Sequence, residues 1–258
     1  VLIVTALRDP EFLAVEQALA SLGPKLPLDA RQYFRLAQLP LSPTRTISVA
    51  AAHCERMGPV HAAVATSKLC FALRPTLVVM AGICAGFPKK AVLGDIAAAE
   101  TAWLWQDGKF AVVEGTSGFQ SSPHQVHITP EVKNCVTELK HDEVLWKSFE
   151  GRAREIGAAI PKLVIGPAAT SAAVLADGRV RDSIATTQHR AVVAIDMETY
   201  SVYVAAESSP HVEHFVSLKS VCDGGDEVKD DLHQQYASTV SAEAALAFIK
   251  RFFTSPNG

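Results

Sequence analysis

The chain has 258 residues, 48% of them hydrophobic and 20% charged, with 27 acids against 24 basic residues and a net charge of −3. That balance fits an ordinary globular protein and excludes a disordered chain or a basic nucleic-acid binder, so no nucleic acid is expected as a partner. No apolar run approaches the ~20 residues of a spanning helix, and Val1-Leu2-Ile3-Val4 is too short for a signal peptide, so no membrane partner is expected and the cytoplasm is the expected compartment. The length suits one α/β domain over residues 1–258, and the opening on Val1, already inside a strand-like run, suggests a piece of a longer chain or a trimmed start. The cysteines, Cys54, Cys70, Cys84, Cys135 and Cys222, are scattered through apolar context and read as reduced core thiols. No Cys/His set has zinc-site spacing, so neither metal nor cofactor is expected.

Strand and helix signals alternate from the start. VLIVTA reads as a buried strand, and Asp9-Pro10-Glu11 opens a helix predicted to reach Leu22. Strands are predicted at Tyr33 to Leu39 and Thr46 to Ala51, then a helix from Gly58-Pro59 with Val60, Val64, Leu69 and Phe71 among its apolar positions. A strand from Thr76 to Met80 runs into Gly82-Ile83-Cys84-Ala85-Gly86, and another follows at Asp95 to Thr101. Trp103 to Pro130 shows no clear period and reads as irregular excursions from a sheet. Helices are then expected at Pro130 to Lys140 and Val144 to Ile156, a strand at Leu163 to Ala168 and a helix at Arg179 to Thr186. A strand at Ala191 to Asp196, a helix at Met197 to Ala206, a strand at Phe215 to Cys222 and a closing helix at Tyr236 to Phe253 complete the pattern.

The most informative stretch is the end of that last strand, where an apolar run stops at Asp223, two glycines and a second acid, Asp226. Ligands collect at the carboxyl ends of strands in open α/β sheets, so a carboxylate there can meet a substrate; Asp-Gly-Gly is also ordinary turn chemistry. Glu11 and Glu198 sit after other predicted strands and could share that edge, although each also fits a favourable first-turn helix acid. Carboxylates in different environments can divide the work of acid, base and hydroxyl anchor. Gly82-Ile83-Cys84-Ala85-Gly86 has the spacing of a nucleophile elbow, but Pro88 and Gly94 follow where the elbow's helix should run. A glycine-rich loop that lets backbone approach a ligand, with Gly82 and Ile83 in contact, is the better account.

VVMAGICAGF, LGDI, AIDMETYSVYVAAE and SVCDGGD, in that order, resemble the nucleoside phosphorylase and nucleosidase superfamily, over nearly the whole chain. The resemblance implies a three-layer α/β/α sandwich around a mixed, partly barrel-like sheet. It also implies cleavage of the N-glycosidic bond of a purine nucleoside, adenine-type by preference. By position, Asp223 matches the acid at the departing base, and Met197 with Glu198 the pair on the ribose. Glu11 matches the glutamate that activates water, offset by one residue. Val174, Leu175 and Gly225 align with the base pocket. The serine and arginine that hold phosphate in phosphorylases align with Ile83 and Met80, which favours water over phosphate as the attacking group, while Arg8 leaves room for phosphate or a phosphorylated 5′ group. The family also implies a homo-oligomer in which a neighbour contributes to the site. The competing expectations are a phosphate-dependent phosphorylase and a non-catalytic nucleoside-sensing module of a larger signalling protein.

Overall fold

The protein is described by a computed structural model at residues 1–113, 116–225 and 231–255, so Asp226 lies outside the described residues. It begins with β1 (Leu2–Thr5), a tight helical turn (Arg8–Phe12), α1 (Leu13–Ala18), β2 (Leu26–Pro27), β3 (Tyr33–Ser42), β4 (Arg45–His53) and α2 (Pro59–Leu73). β5 (Leu77–Gly86) and β6 (Ile96–Leu104) lead to β7 (Gly108–Val113), β8 (Thr116–Ser121) and β9 (Gln125–His127), then α3 (Pro130–Lys140), α4 (Glu143–Lys147) and α5 (Glu150–Glu155). The remainder is β10 (Leu163–Thr170), α6 (Gly178–Thr187), β11 (Ala194–Asp196), α7 (Thr199–Glu207), β12 (His214–Asp223) and α8 (Asp231–Thr254).

Strands β11, β10, β6, β12 and β5 pair in that order, and β5 pairs back antiparallel onto β11, which closes a barrel-like ring. From β5 the sheet continues as β1, β4, β3 and β2. β1 is parallel to both neighbours and buried along its whole length, which explains its unbroken apolar run. Along β12, alternate residues face opposite helical layers. Phe215 packs on Tyr203 of α7 at 4.8 Å, and the Ser217 hydroxyl meets that of Thr199. His214 instead packs on Phe252 of α8 at 5.1 Å. The fold is therefore a three-layer α/β/α sandwich around a mixed, closed sheet.

Several stretches depart from the sequence reading: residues 82–86, read as a loop, are the end of strand β5, and the helix expected at Val144 to Ile156 is two short helices, α4 and α5. The helix from Asp9 ends at Ala18 rather than Leu22, because the Arg35 guanidinium draws the carbonyls of Leu22 and Gly23 to β3. The segment read as irregular contains the antiparallel β7–β8 hairpin, together with β9 on the edge of β6. In α2 only Leu69 of the named apolar positions is buried; Val60, Val64 and Phe71 face solvent, and Ala62, Ala65 and Cys70 do the packing.

Candidate functional site

The carboxyl ends of β1, β5 and β12 open into one cavity of about 190 Å³, together with β11 and the residues that follow it. Glu11, Ile83, Val174, Leu175, Met197, Glu198 and Asp223 all line it, so residues from five separate parts of the chain meet there. Gly82 lies directly beneath it. Its φ of +150° and the 2.3 Å separation between a Cβ built there and Glu11 Oε1 leave no room for a side chain that does not displace the carboxylate. Gly225 lies next to Leu175 and Ala85 just behind the lining. Arg8 does not line the cavity; it faces a neighbouring one on the far side of the same turn.

The tight turn after β1 folds Glu11 back on its own strand. Glu11 Oε2 accepts from the N–H groups of Ala6 and Leu7 at 2.8 and 2.7 Å, and Oε1 accepts from Ile83 N–H at 2.9 Å. The side chain is buried, and desolvation raises its pKa to about 7 against the opposing pull of Lys219 and of these backbone donors. A carboxylate poised there is suited to take a proton near neutral pH.

Lys219 was not singled out from the sequence. It is 2% exposed, and its ammonium lies 2.7 Å from both Asp196 Oδ2 and Glu198 Oε2. Burial works to discharge it, but the carboxylates of Asp196, Glu198 and Glu11 outweigh burial and hold its pKa well above the usual lysine value. Asp196 also accepts from Thr170 Oγ1 on Oδ1 and from Thr199 N–H and Thr199 Oγ1 on Oδ2, so most of its acceptor capacity is committed to structure. Glu198 accepts additionally from Gly58 N–H at 2.8 Å, where a φ of +109° requires glycine. Each Glu198 oxygen thus keeps a lone pair for a ligand hydroxyl. The sequence signal for Lys219 was its place in VSLKSVC, since a lysine in the middle of a buried strand must have an ionic partner.

Asp223 enters the cavity where the register between β12 and β5 passes from Val221↔Cys84 to Asp223↔Ala85, leaving Cys222 as the extra residue. Its Oδ1 accepts from Gly225 N–H at 2.8 Å and its Oδ2 from the Cys222 thiol at 3.2 Å. Desolvation pushes the Cys222 and Cys84 thiols up, so both are held as protonated thiols. With β5 running as strand through Gly86 and no helix behind Cys84, the elbow reading of that cysteine fails. Among the described residues no cluster of His, Cys, Asp and Glu could hold a metal ion, and no helix is long and apolar enough to cross a membrane.

With this geometry in hand, the profile of the Phosphorylase superfamily matches residues 11–254, and the chain belongs to that family. It is 32% identical over 256 residues to the protein y4jS of Sinorhizobium fredii, covering 97% of this chain and 61% of that protein. It is 28% identical over 205 residues to the ATP nucleosidase Cap17 of Escherichia coli, covering 75% of this chain and 39% of that protein. The chain therefore spans less than two thirds of either relative. Among solved structures, the MTA/SAH nucleosidase of Streptococcus pneumoniae superposes with a TM-score of 0.74 at 15% identity, over 96% of this chain and 98% of the other, which is a likeness of fold.

Replacing Lys219 by Met would leave Asp196 and Glu198 buried without their shared cation. The expected loss is about 3–5 kcal/mol of unfolding free energy by urea denaturation. A loss below about 1 kcal/mol would mean that the carboxylates are not held as charges.

Proposed function

We propose that the protein hydrolyses the N-glycosidic bond of a purine nucleoside, adenine-type by preference, in this cavity. The observation that carries the reading is the arrangement of carboxylates at the ends of β1, β11 and β12: Glu11 poised near pH 7 on three backbone donors, Glu198 fixed by Lys219 and Gly58, and Asp223 at the mouth. The name of the Cap17 relative supports both adenine as the base and water as the attacking group.

Breaking the bond builds positive charge on the ribose and negative charge on the departing base, as in other glycoside cleavages. Water oxygen attacks C1′ and gives its proton to Glu11. The C1′–N electron pair leaves with the base, which takes up a proton from solvent relayed through Asp223 at the cavity mouth. Met197 packs on the ribose while Glu198 accepts from its hydroxyls and responds to the developing charge. Val174, Leu175 and Gly225 flank the base. Ile83 supports water over phosphate, since it offers a phosphate no hydroxyl and its N–H is already given to Glu11. Met80, fully buried in β5, offers no cation either.

The exposed stripe Val60, Val64 and Phe71 on α2, close to Met57 at the cavity rim, supports a homo-oligomer in which a second copy completes the site. A Val64→Glu variant is expected to sediment as a monomer when the parent does not; a parent that is itself monomeric at micromolar concentration contradicts this.

The activity is tested by chromatographic detection of free base from adenosine, methylthioadenosine, S-adenosylhomocysteine, inosine and ATP, each with and without phosphate. Release independent of phosphate is expected, with a fall of at least about a hundredfold in turnover for Asp223→Asn. Phosphate-dependent release would make the protein a phosphorylase, and silence across the panel would favour a nucleoside-sensing module.

A further inference from the structure

On the other side of the Arg8–Phe12 turn lies a second cavity, of about 360 Å³, lined by Arg8, Phe12, Glu16, Lys25, Tyr33 and Arg35 together with Phe34 and His53. The two cavities share one wall. Leu7 and Glu11 face the carboxylate cavity, and Arg8 and Phe12 face this one. β1 and β4 end side by side, with Thr5 paired to His53, so both cavities open at the same edge of the sheet.

The second cavity is cationic. Three basic side chains, Arg8, Lys25 and Arg35, meet one carboxylate, Glu16. Arg35 is committed to the fold, because it donates to Glu16 Oε1 and to the carbonyls of Leu22 and Gly23. Glu16 has its second oxygen on Arg8 at 3.3 Å, so both of its oxygens are engaged. Arg8 is left with most of its donors free. The Lys25 ammonium lies 3.9 Å from the Tyr33 ring centroid, an attraction that positions the charge without neutralising it. His53 Nδ1–H donates to the Cys54 carbonyl at 2.8 Å, which leaves Nε2 as an acceptor, so the phosphoryl donors are Arg8 and Lys25. A guanidinium fork and an ammonium facing one space form a donor set suited to phosphoryl oxygens.

We propose that this cavity takes the phosphoryl groups at the 5′ end of a nucleotide whose base and ribose occupy the adjacent cavity. The inference rests on the proposed N-glycosidase reading and names its substrate class as a nucleotide rather than a bare nucleoside. Glu198 is bonded to Gly58, so Met57 marks the ribose end of the first cavity, with Leu7 also in its lining. A chain of phosphoryl groups leaving the ribose past Leu7 would meet Arg8 first and Lys25 beyond it. The same cations would also hold inorganic phosphate, so the two sources of phosphoryl oxygen must be separated by experiment.

The test is calorimetric titration of the full chain carrying Asp223→Asn, which keeps ligands intact, with adenosine, AMP, ATP and inorganic phosphate. ATP is expected to bind at least about tenfold more tightly than adenosine, and Arg8→Gln with Lys25→Gln to bring that ratio to within about threefold. An ATP advantage that survives the double substitution, or no ATP advantage at all, overturns the proposal. Phosphate that binds in a manner sensitive to the double substitution and tightens adenosine, while ATP gains nothing, assigns the cavity to free phosphate and overturns the nucleotide assignment. Base release by the unsubstituted chain is read separately. No release together with a substitution-sensitive ATP advantage supports the cavity assignment and removes the hydrolase reading, whereas release with no ATP advantage does the reverse.

Discussion

One lysine ammonium is buried among carboxylates at the centre of this fold. Moving Lys219 out of water costs several kcal/mol, and only close, hydrogen-bonded anions can offset that. Asp196 and Glu198 both sit at 2.7 Å, and Glu11 adds its field. The cluster fixes three distant parts of the chain relative to one another. Lys219 belongs to β12, Asp196 ends β11, and Glu198 is the residue before α7 and is tied to the start of α2 through Gly58. The closure of the ring at β11 and the shape of the cavity therefore follow from the same charges that would act on a ligand.

That arrangement places strict demands on the backbone around it. Glu11 reaches the cluster only because Gly82 has no Cβ, and because the turn after β1 aims the N–H groups of Ala6 and Leu7 at it. Behind Gly82, Ser241 of α8 accepts from the Gly82 N–H at 2.8 Å and donates to the Leu218 carbonyl at 2.7 Å, locking β5 to β12 from the opposite layer. A carboxylate pinned this way cannot relax toward water, which is why burial dominates its proton affinity. Stability and proton affinity are two readings of one set of contacts.

Much of this was legible in the sequence, for reasons that differ by element. β1 and β5 announce themselves because strands buried on both faces are largely apolar, and Asp223 stands out because it ends the buried strand β12. The β7–β8 pair does not, because Phe110 and Val112 are exposed and none of its described side chains is buried to impose a period on the sequence. The early end of α1 was invisible locally, since its cause is Arg35 in a different strand. α2 misleads because Val60, Val64 and Phe71 are apolar for some purpose other than packing this chain's core. Lys219 carries a signal as a lysine inside a buried strand, but its partners, Asp196 and Glu198, lie in another segment and only the fold brings them to it. Arg8 was grouped with the other site residues, but it lines the neighbouring cavity, across the turn from Glu11, a placement that no local sequence signal gives.

The pH dependence of turnover tests most directly whether Glu11, poised by burial against Lys219, is the base. A base must be ionised to act, so a pKa raised to about 7 places a rising limb there: activity is low at pH 5 and climbs through pH 7. Because the charge of Lys219 pulls the Glu11 pKa down, Lys219→Met should move the limb to higher pH, and Glu11→Gln should abolish it together with most of the rate. A limb that persists in Glu11→Gln, or a profile flat between pH 5 and 8 in the unsubstituted protein, would contradict the account.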